Sequence, residues 1–284
     1  MKQDVEPADQ AARPEGAKAM TSYLLDNASP QAAQRFAGLE ACYDHSTFAL
    51  LSALGLTDGW RCWEIGAGGG SVARWMAEQV GPSGSVLGTD INLDWIDADM
   101  PHQVELRRHD VTSDAIPTSA YDLIHARLVL LHLPGRDQVI ERLAAALAPG
   151  GWLVLEEFNQ ILPPCPEATT DEQRAFNRVR EGFSELLARR GANTTTYPPT
   201  LPWRMQRAGL VETGAVGRLV FASGASPSAA HQRANLLQTG GEAVDAGLIT
   251  ADDLRTSLRA LDDPGFTFIL PLLISAWGRR QRPA

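Results

Sequence analysis

The stretch WEIGAGGGSVARWMAEQVGPSGSVLGTDIN, Trp63 to Asn92, sets a carboxylate before a glycine cluster and a second carboxylate at the end of the next apolar run. Glycines at a turn from strand to helix let backbone amides approach a ligand closely, and Gly66, Gly68, Gly69 and Gly70 supply them here. Glu64 stands just before the first glycine, where it would repel a pyrophosphate but pair with an ammonium group. That favours a cofactor bearing an amino acid. Asp90 closes the second apolar run, a position from which a carboxylate accepts hydrogen bonds from ribose hydroxyls. A dinucleotide fingerprint would need a glycine where Ser71 stands, and a Walker loop would need a Lys that is absent. A nicotinamide-dependent oxidoreductase is therefore a minor alternative.

Outward from this stretch, apolar runs and helical patterns alternate. RCWEI precedes the glycines, a helix is predicted over Val72 to Val80, and SVLGTD follows. A short helix is then predicted near Leu93 to Ala98, followed by QVELRRHD, YDLIHAR, a helix over Arg136 to Leu147 with Val139, Leu143 and Leu147 on one face, and WLVLEEF. Such alternation implies parallel strands joined by crossover helices, with ligands beyond the carboxyl ends of the strands. Before the first strand, Ser29 and Pro30 suit a helix start, and Phe36, Leu39 and Tyr43 share helical spacing. After the fifth, Thr170 with Gln173 forms a capping box for a helix whose apolar stripe is Phe176, Val179, Phe183 and Leu186. A short helix over LPWRMQRAGL leads to a strand over VETGAVGRLVFAS. A second helical insertion spans about 227–261, with Thr250 and Asp253 as its capping pair, before a last strand near Phe266 to Ala276.

The chain of 284 residues is 44% hydrophobic and carries a formal charge of −9. It can bury a sizeable core, and its acidic balance argues against nucleic acid as the main partner. Cys42, Cys62 and Cys165 are widely spaced and odd in number, which suits a reducing, cytoplasmic setting without disulfides or a metal site. The longest C-terminal apolar stretch, FTFILPLLISAW, is too short to span a bilayer, so no membrane partner is expected.

Taken together, EIGAGGG, Asp90, Asp110 in RRHDVT, YDLIHARLVLLHLP and LAPGGWLVLEE resemble, in order and spacing, the motifs of the class I S-adenosylmethionine-dependent methyltransferases, over Trp60 to about Phe158. The resemblance implies an α/β, Rossmann-like sheet, mostly parallel with an antiparallel last strand, plus helical cap insertions. It also implies S-adenosylmethionine as cofactor and S-adenosylhomocysteine as product. Glu64 with Gly66, Ala67 and Gly68 would hold the methionine part, Asp90 and Ile91 the ribose side, Asp110 and Val111 the adenine, and Ala126 and Arg127 would approach from the fourth strand. Tyr23, on N-terminal helices like those covering the site in small-molecule members, is a further contact candidate. Asp110 or Asp114 has the alternative role of ordering a loop.

The implied layout is a tail over 1–18, a helical lid over 19–58, the binding core over 59–160, a helical cap over 161–200 and the remaining core over 201–284. For catalysis, His125 and His132 flank the fourth-strand motif as proton acceptors, with sheet packing and turn capping as their alternatives. Glu156 and Glu157 end the fifth strand, and because strand side chains alternate faces only one points at the pocket; Glu157 is the candidate carried forward. Arg35, Tyr43 and His45 suit packing or solvation. The cap aromatics Phe176, Phe183, Tyr197 and Trp203 suit mostly core, with a few lining the pocket, and the arginines between Arg174 and Arg190 suit a solvated helix face. The function implied is methylation at O, N or C of a medium-sized, partly hydrophobic small molecule, with a homodimer as the expected assembly. A repurposed fold that catalyses cyclisation or acts as a scaffold is the alternative.

Overall fold

Five apolar runs lie side by side because each is too short to bury itself alone, with helices carrying the chain back across the sheet after the first, fourth and fifth and irregular crossovers after the second and third. The computed structural model describes residues 24–25, 32–97 and 99–283. Its strands β1 (Arg61–Ile65), β2 (Ser85–Asp90), β3 (Val104–Arg108), β4 (Tyr121–Arg127) and β5 (Leu147–Asn159) pair in parallel. They join β6 (Leu210–Arg218) and β9 (Leu272–Arg280) in one sheet of order β3-β2-β1-β4-β5-β9-β6. The last strand, β9, runs antiparallel to both β5 and β6 and lies between them. The strand order reverses between β1 and β4, and the crevice at that reversal is where such sheets bind ligands.

Side-chain alternation sends Cys62, Leu123 and Val154 to one face, where Val72, Ala73, Met76 and Val80 of α2 (Ser71–Val80) and Leu51 of α1 (Ala32–Ala53) cover them. Trp63, Ile65, Ile124, Leu153 and Leu155 face the other way, toward Val139, Ile140 and Leu143 of α3 (Arg136–Ala146). The expected capping box opens α4 (Asp171–Arg189), with Thr170 accepting from the Gln173 amide and Gln173 from the Thr170 amide. Its stripe of Phe176, Val179, Phe183 and Leu186 is buried. The short helix α5 (Leu201–Arg207) then leads into β6.

The second insertion consists of α6 (Pro227–Asp245) and α7 (Ala251–Asp262), and the Thr250–Asp253 capping box opens α7. It leaves and rejoins the core through an antiparallel ribbon of β7 (Phe221–Ser223) and β8 (Thr267–Ile269). Phe176 meets Phe266 and Phe268 at ring distances of 5.4 and 5.3 Å, tying α4 to that ribbon. Helix α6 packs on α1 and α4, which brings α1 and both insertions together.

Several expectations need correction. Residues 91–97 form no helix, because Asp90, Asn92 and Asp97 each accept a hydrogen bond from the amide two residues on, a local alternative that competes with helical bonding. The strand expected over 211–223 divides into β6 and β7, and the strand expected near 266–276 divides into β8 and β9, since pairing of β7 with β8 draws these ends away from the main sheet. Asp110 lies two residues beyond the end of β3. Of the arginines read as a solvated face, Arg180 is buried. Tyr23, Ser29, Pro30, Ala98 and the tail over 1–18 lie outside the described residues.

Candidate functional site

The glycine loop rises from β1 with Gly66, Gly68 and Gly70 at φ of +70°, +57° and +88°, a region that side-chain-bearing residues rarely adopt. A Cβ at Gly66 would stand 2.3 Å from the Val129 side chain, and one at Gly68 3.1 Å from the Phe36 ring. The turn therefore needs glycine for both conformation and space. Asp90 sits at the end of β2 with its Oδ2 accepting from the Gly68 amide at 3.0 Å and its Oδ1 from the Asn92 amide at 3.1 Å. Burial raises its pKa, against these amide bonds. Each carboxylate oxygen can accept more than one hydrogen bond, so the residue that fixes the loop keeps capacity for a ligand. Next to it, Ile91 is 52% exposed, an apolar side chain turned outward at the edge of the crevice. Ala67 of the glycine turn and Val111, next to Asp110, are buried.

Asp110 takes the loop-ordering part: its Oδ1 accepts from the Thr112 amide at 2.9 Å and from the Thr112 hydroxyl at 2.6 Å, while its own amide donates to Asp114. Burial would raise the Asp110 carboxyl, but the Thr112 bonds outweigh it and hold the group below its ordinary range.

Beneath the loop a row of polar side chains crosses four strands on the α1 face. His125 Nδ1 is 2.6 Å from Glu64 Oε2, and His125 Nε2 is 3.1 Å from Glu156 Oε2. Glu156 Oε1 accepts from Ser275 at 2.5 Å, and its Oε2 from Thr47 of α1. Arg127 donates to Thr47 and pairs with Asp44 at 2.8 Å. All of Glu64, His125 and Glu156 are buried. Burial opposes the charge on His125, but Glu64 and then Glu156 outweigh it and raise the imidazole to about 9. The same imidazole, with Arg127 and Ser275, overcomes burial at Glu156 and lowers it to about 2. Burial raises Glu64 against the pull of His125. His125 is thus an imidazolium with both nitrogens engaged between carboxylates, which leaves no nitrogen to accept a proton. Glu64 is the end of the row next to the glycine turn, where its Oε2 is engaged by His125.

On the opposite face stand the other two catalytic candidates. Glu157 Oε1 accepts from the amides of Leu130 and Leu131, at 2.7 and 3.1 Å, in the 3-10 turn that also carries His132. Its Oε2 is buried with no hydrogen-bond partner. Burial, against the Leu131 and Leu130 amides, pushes Glu157 up to about 8. Burial, then Arg136 and Arg35, lowers His132 to about 3, so it is neutral at physiological pH. Between these faces, Leu128 holds φ of +61° just after β4, a costly conformation for a residue with a side chain and one that clusters at functional sites.

The state of Glu157 yields a stability prediction. Its folded pKa lies above the ordinary 4.5, so the fold holds a proton that the unfolded chain releases, and stability falls as pH rises from about 4.5 through about 8. Glu157→Gln stays neutral and keeps an acceptor for both amides. Denaturant melts at pH 5 and pH 8.5 should show the variant losing roughly 1–3 kcal/mol less than the parent over that interval. An equal loss in both would contradict the buried, proton-holding state.

The sequence reading missed the contacts that α1 makes. Phe36 and Glu40 lie against Gly68 and Gly69, and Asp44 and Thr47 complete the polar row. The only sequence signal for the row was the alternation of His125 and Arg127 on one strand face.

Residues 19–212 match the model of a family described as a methyltransferase domain. The chain therefore belongs to the class I S-adenosylmethionine-dependent methyltransferases that its motifs resemble. Among curated proteins it is 37% identical to a methyltransferase of Strobilurus tenacellus over 34% of either chain. It is 28% identical to a ubiquinone/menaquinone biosynthesis C-methyltransferase of Laribacter hongkongensis, over 45% of this chain and 53% of that one. These matches span about a third to a half of the relatives' own length. Among solved structures, a Haemonchus contortus phosphoethanolamine N-methyltransferase in complex with phosphomonomethylethanolamine and S-adenosylhomocysteine shares the fold. Its TM-score is 0.58 at 16% identity, over 94% of this chain and 61% of that one. Among the described residues no helix is long and apolar enough to cross a membrane.

The residues present fit an S-adenosyl ligand: a glycine turn open to close approach, a carboxylate at the end of β2, an outward apolar side chain beside it, and a buried polar row that begins at Glu64 just before the turn.

Proposed function

We propose that the protein transfers a methyl group from S-adenosylmethionine to an oxygen, nitrogen or carbon of a medium-sized, partly hydrophobic small molecule. The observation that carries this reading is the tie between Asp90 and the Gly68 amide, which joins the end of β2 to the glycine turn as one binding surface. Glu64 and Gly66 to Gly68 would hold the methionine part, Asp90 and Ile91 the ribose side, Asp110 and Val111 the adenine, and Ala126 and Arg127 the side facing β4. Tyr23 remains a proposed contact from beyond the described residues. Bound there, the sulfonium supplies an electrophilic methyl group.

The chain's own work is positioning, because holding two reactants in line replaces a bimolecular encounter by a local one. His125 and Arg127 keep Glu64 and the end of β4 in place by charge-assisted bonds. The lid and cap helices exclude water from the ends of β4 and β5. An acceptor that must lose a proton needs a base there, and Glu157 is the residue we assign: its Oε2 is buried without a partner and its pKa of about 8 suits proton exchange near neutral pH. His132, the other candidate on the same turn, is held neutral by burial, and at about 3 it is too weak a base to take that proton in place of Glu157. Three free thiols support a reducing, cytoplasmic setting.

The test is a panel of phenols, quinols, amines and carboxylic acids incubated with S-adenosylmethionine and read by product mass. A gain of one methyl group, with S-adenosylhomocysteine released in equal amount, supports the reading. A product isomeric with its substrate would replace it by a repurposed, cyclising enzyme.

A further inference from the structure

Arg180 lies in the middle of α4, within the apolar stripe and 7% exposed. Its guanidinium stacks over the Phe183 ring at 5.0 Å, and its Nη1 is buried with no hydrogen-bond partner. Among the described residues no ion pair reaches it, in contrast to Arg127, which has Asp44. Burying an unpaired cation is costly unless a partner arrives, and burial lowers this guanidinium to about 10, offset by the Tyr43 phenol rather than by a carboxylate.

Tyr43, from α1, is also fully buried, and its hydroxyl has no partner. Its ring packs 5.2 Å from Phe158 near the end of β5, and the phenol lies within electrostatic reach of both Arg180 and Arg127. Tyr43 is thus coupled to a cation on α4 and to one on β4. The third wall is α6, where the buried His231 also senses Arg180 and where Gln232 Oε1 and Asn235 Oδ1 lack partners. Helices α1, α4 and α6 thus each bury polar atoms without partners, and Tyr43 of α1 and His231 of α6 both lie within electrostatic reach of Arg180. Buried polar atoms in folded proteins are normally paired, and a cluster of exceptions with one unpaired cation describes a site made for a ligand.

We propose that Arg180 and Tyr43 form an internal subsite for a carboxylate on the acceptor molecule, so that the substrate class is a small carboxylic acid. The inference rests on the methyl-transfer reading for the identity of that molecule as acceptor. A planar guanidinium matches a planar carboxylate through two parallel N–H donors, and the Tyr43 hydroxyl is a further donor. A single charge is favoured over a phosphate dianion because Arg127 is already paired with Asp44 and Arg35 bonds to Gln238 and the Leu25 carbonyl. The stem of the acid would lie against Phe158 and Phe183.

The experiment titrates the protein with phenylacetate, salicylate and octanoate and with their neutral amides, with and without saturating S-adenosylhomocysteine. At least one carboxylate should bind about tenfold or more tightly than its amide. Arg180→Met should erase that preference, Arg180→Lys should keep part of it, and Tyr43→Phe should reduce it a few-fold, with S-adenosylhomocysteine affinity unchanged in all three. Absence of preference in every pair, or a preference that survives Arg180→Met, overturns the proposal. Should Arg180→Met fail to fold, the Lys and Phe variants decide by the same readout. In the parent protein, absence of a carboxylate preference alongside intact S-adenosylhomocysteine binding removes this inference alone, whereas failure of S-adenosylhomocysteine to bind removes the methyl-transfer reading and leaves the carboxylate preference readable by itself.

Discussion

His125→Ala should lower stability at pH 6 by about 3–5 kcal/mol, a fall in melting temperature of roughly 6–20 °C for a chain of this size. The cause is the pair of carboxylates, Glu64 and Glu156, that His125 holds apart by a bond to each. Removing the imidazolium leaves both buried and facing each other, and an uncompensated buried charge costs more than the pair ever contributed. The pH dependence has a definite sign. The folded pKa of His125, about 9, lies above the ordinary 6.5, so its stabilisation is full below 6.5 and is lost as pH rises through 9. Glu156, at about 2 against an ordinary 4.5, contributes fully above 4.5 and loses its contribution as pH falls through 2. The gap between parent and variant should therefore be widest between about pH 4.5 and 6.5 and should narrow toward pH 9. Thermal melts across that range check it, and a constant small gap would contradict the bridging role.

Asp90→Ala should weaken S-adenosylhomocysteine binding by about 10- to 100-fold, with Asp90→Asn in between. Two losses combine. The substitution removes the acceptor for the Gly68 amide, loosening the glycine turn, and removes the charged acceptor proposed for the ribose. A hydrogen bond to a charged group contributes about 1.5–3 kcal/mol, which converts to that range of affinity. Calorimetric titration of the three proteins measures it. Equal affinities would mean that Asp90 serves the loop alone.

How much of this was readable from the chain depends on how local each signal is. The glycine turn, the ends of β1, β2 and β4, the face of α3 and both capping boxes depend on residues a few positions apart, and each was legible. The same locality explains the failed helix after β2: NLDWIDAD looks helical by composition, but its Asn92 and Asp97 side chains satisfy the backbone themselves. The ribbon of β7 and β8 pairs residues more than forty positions apart, beyond any periodicity argument. The buried row is a product of sheet register, which brings Glu64, His125, Glu156 and Ser275 together across four strands. Arg180 was readable in principle. It follows Phe176 by four residues and precedes Phe183 by three, which sets it in the apolar stripe, although its charge placed it among the solvated arginines.

The central claim is that the crevice between β1, β2 and β4 binds an S-adenosyl cofactor. Titration of the purified protein with S-adenosylmethionine, and in parallel with NAD, tests it most directly: one site per chain for the adenosyl ligand and no heat with NAD is the predicted result, and binding of NAD in its place, or of neither, would contradict it.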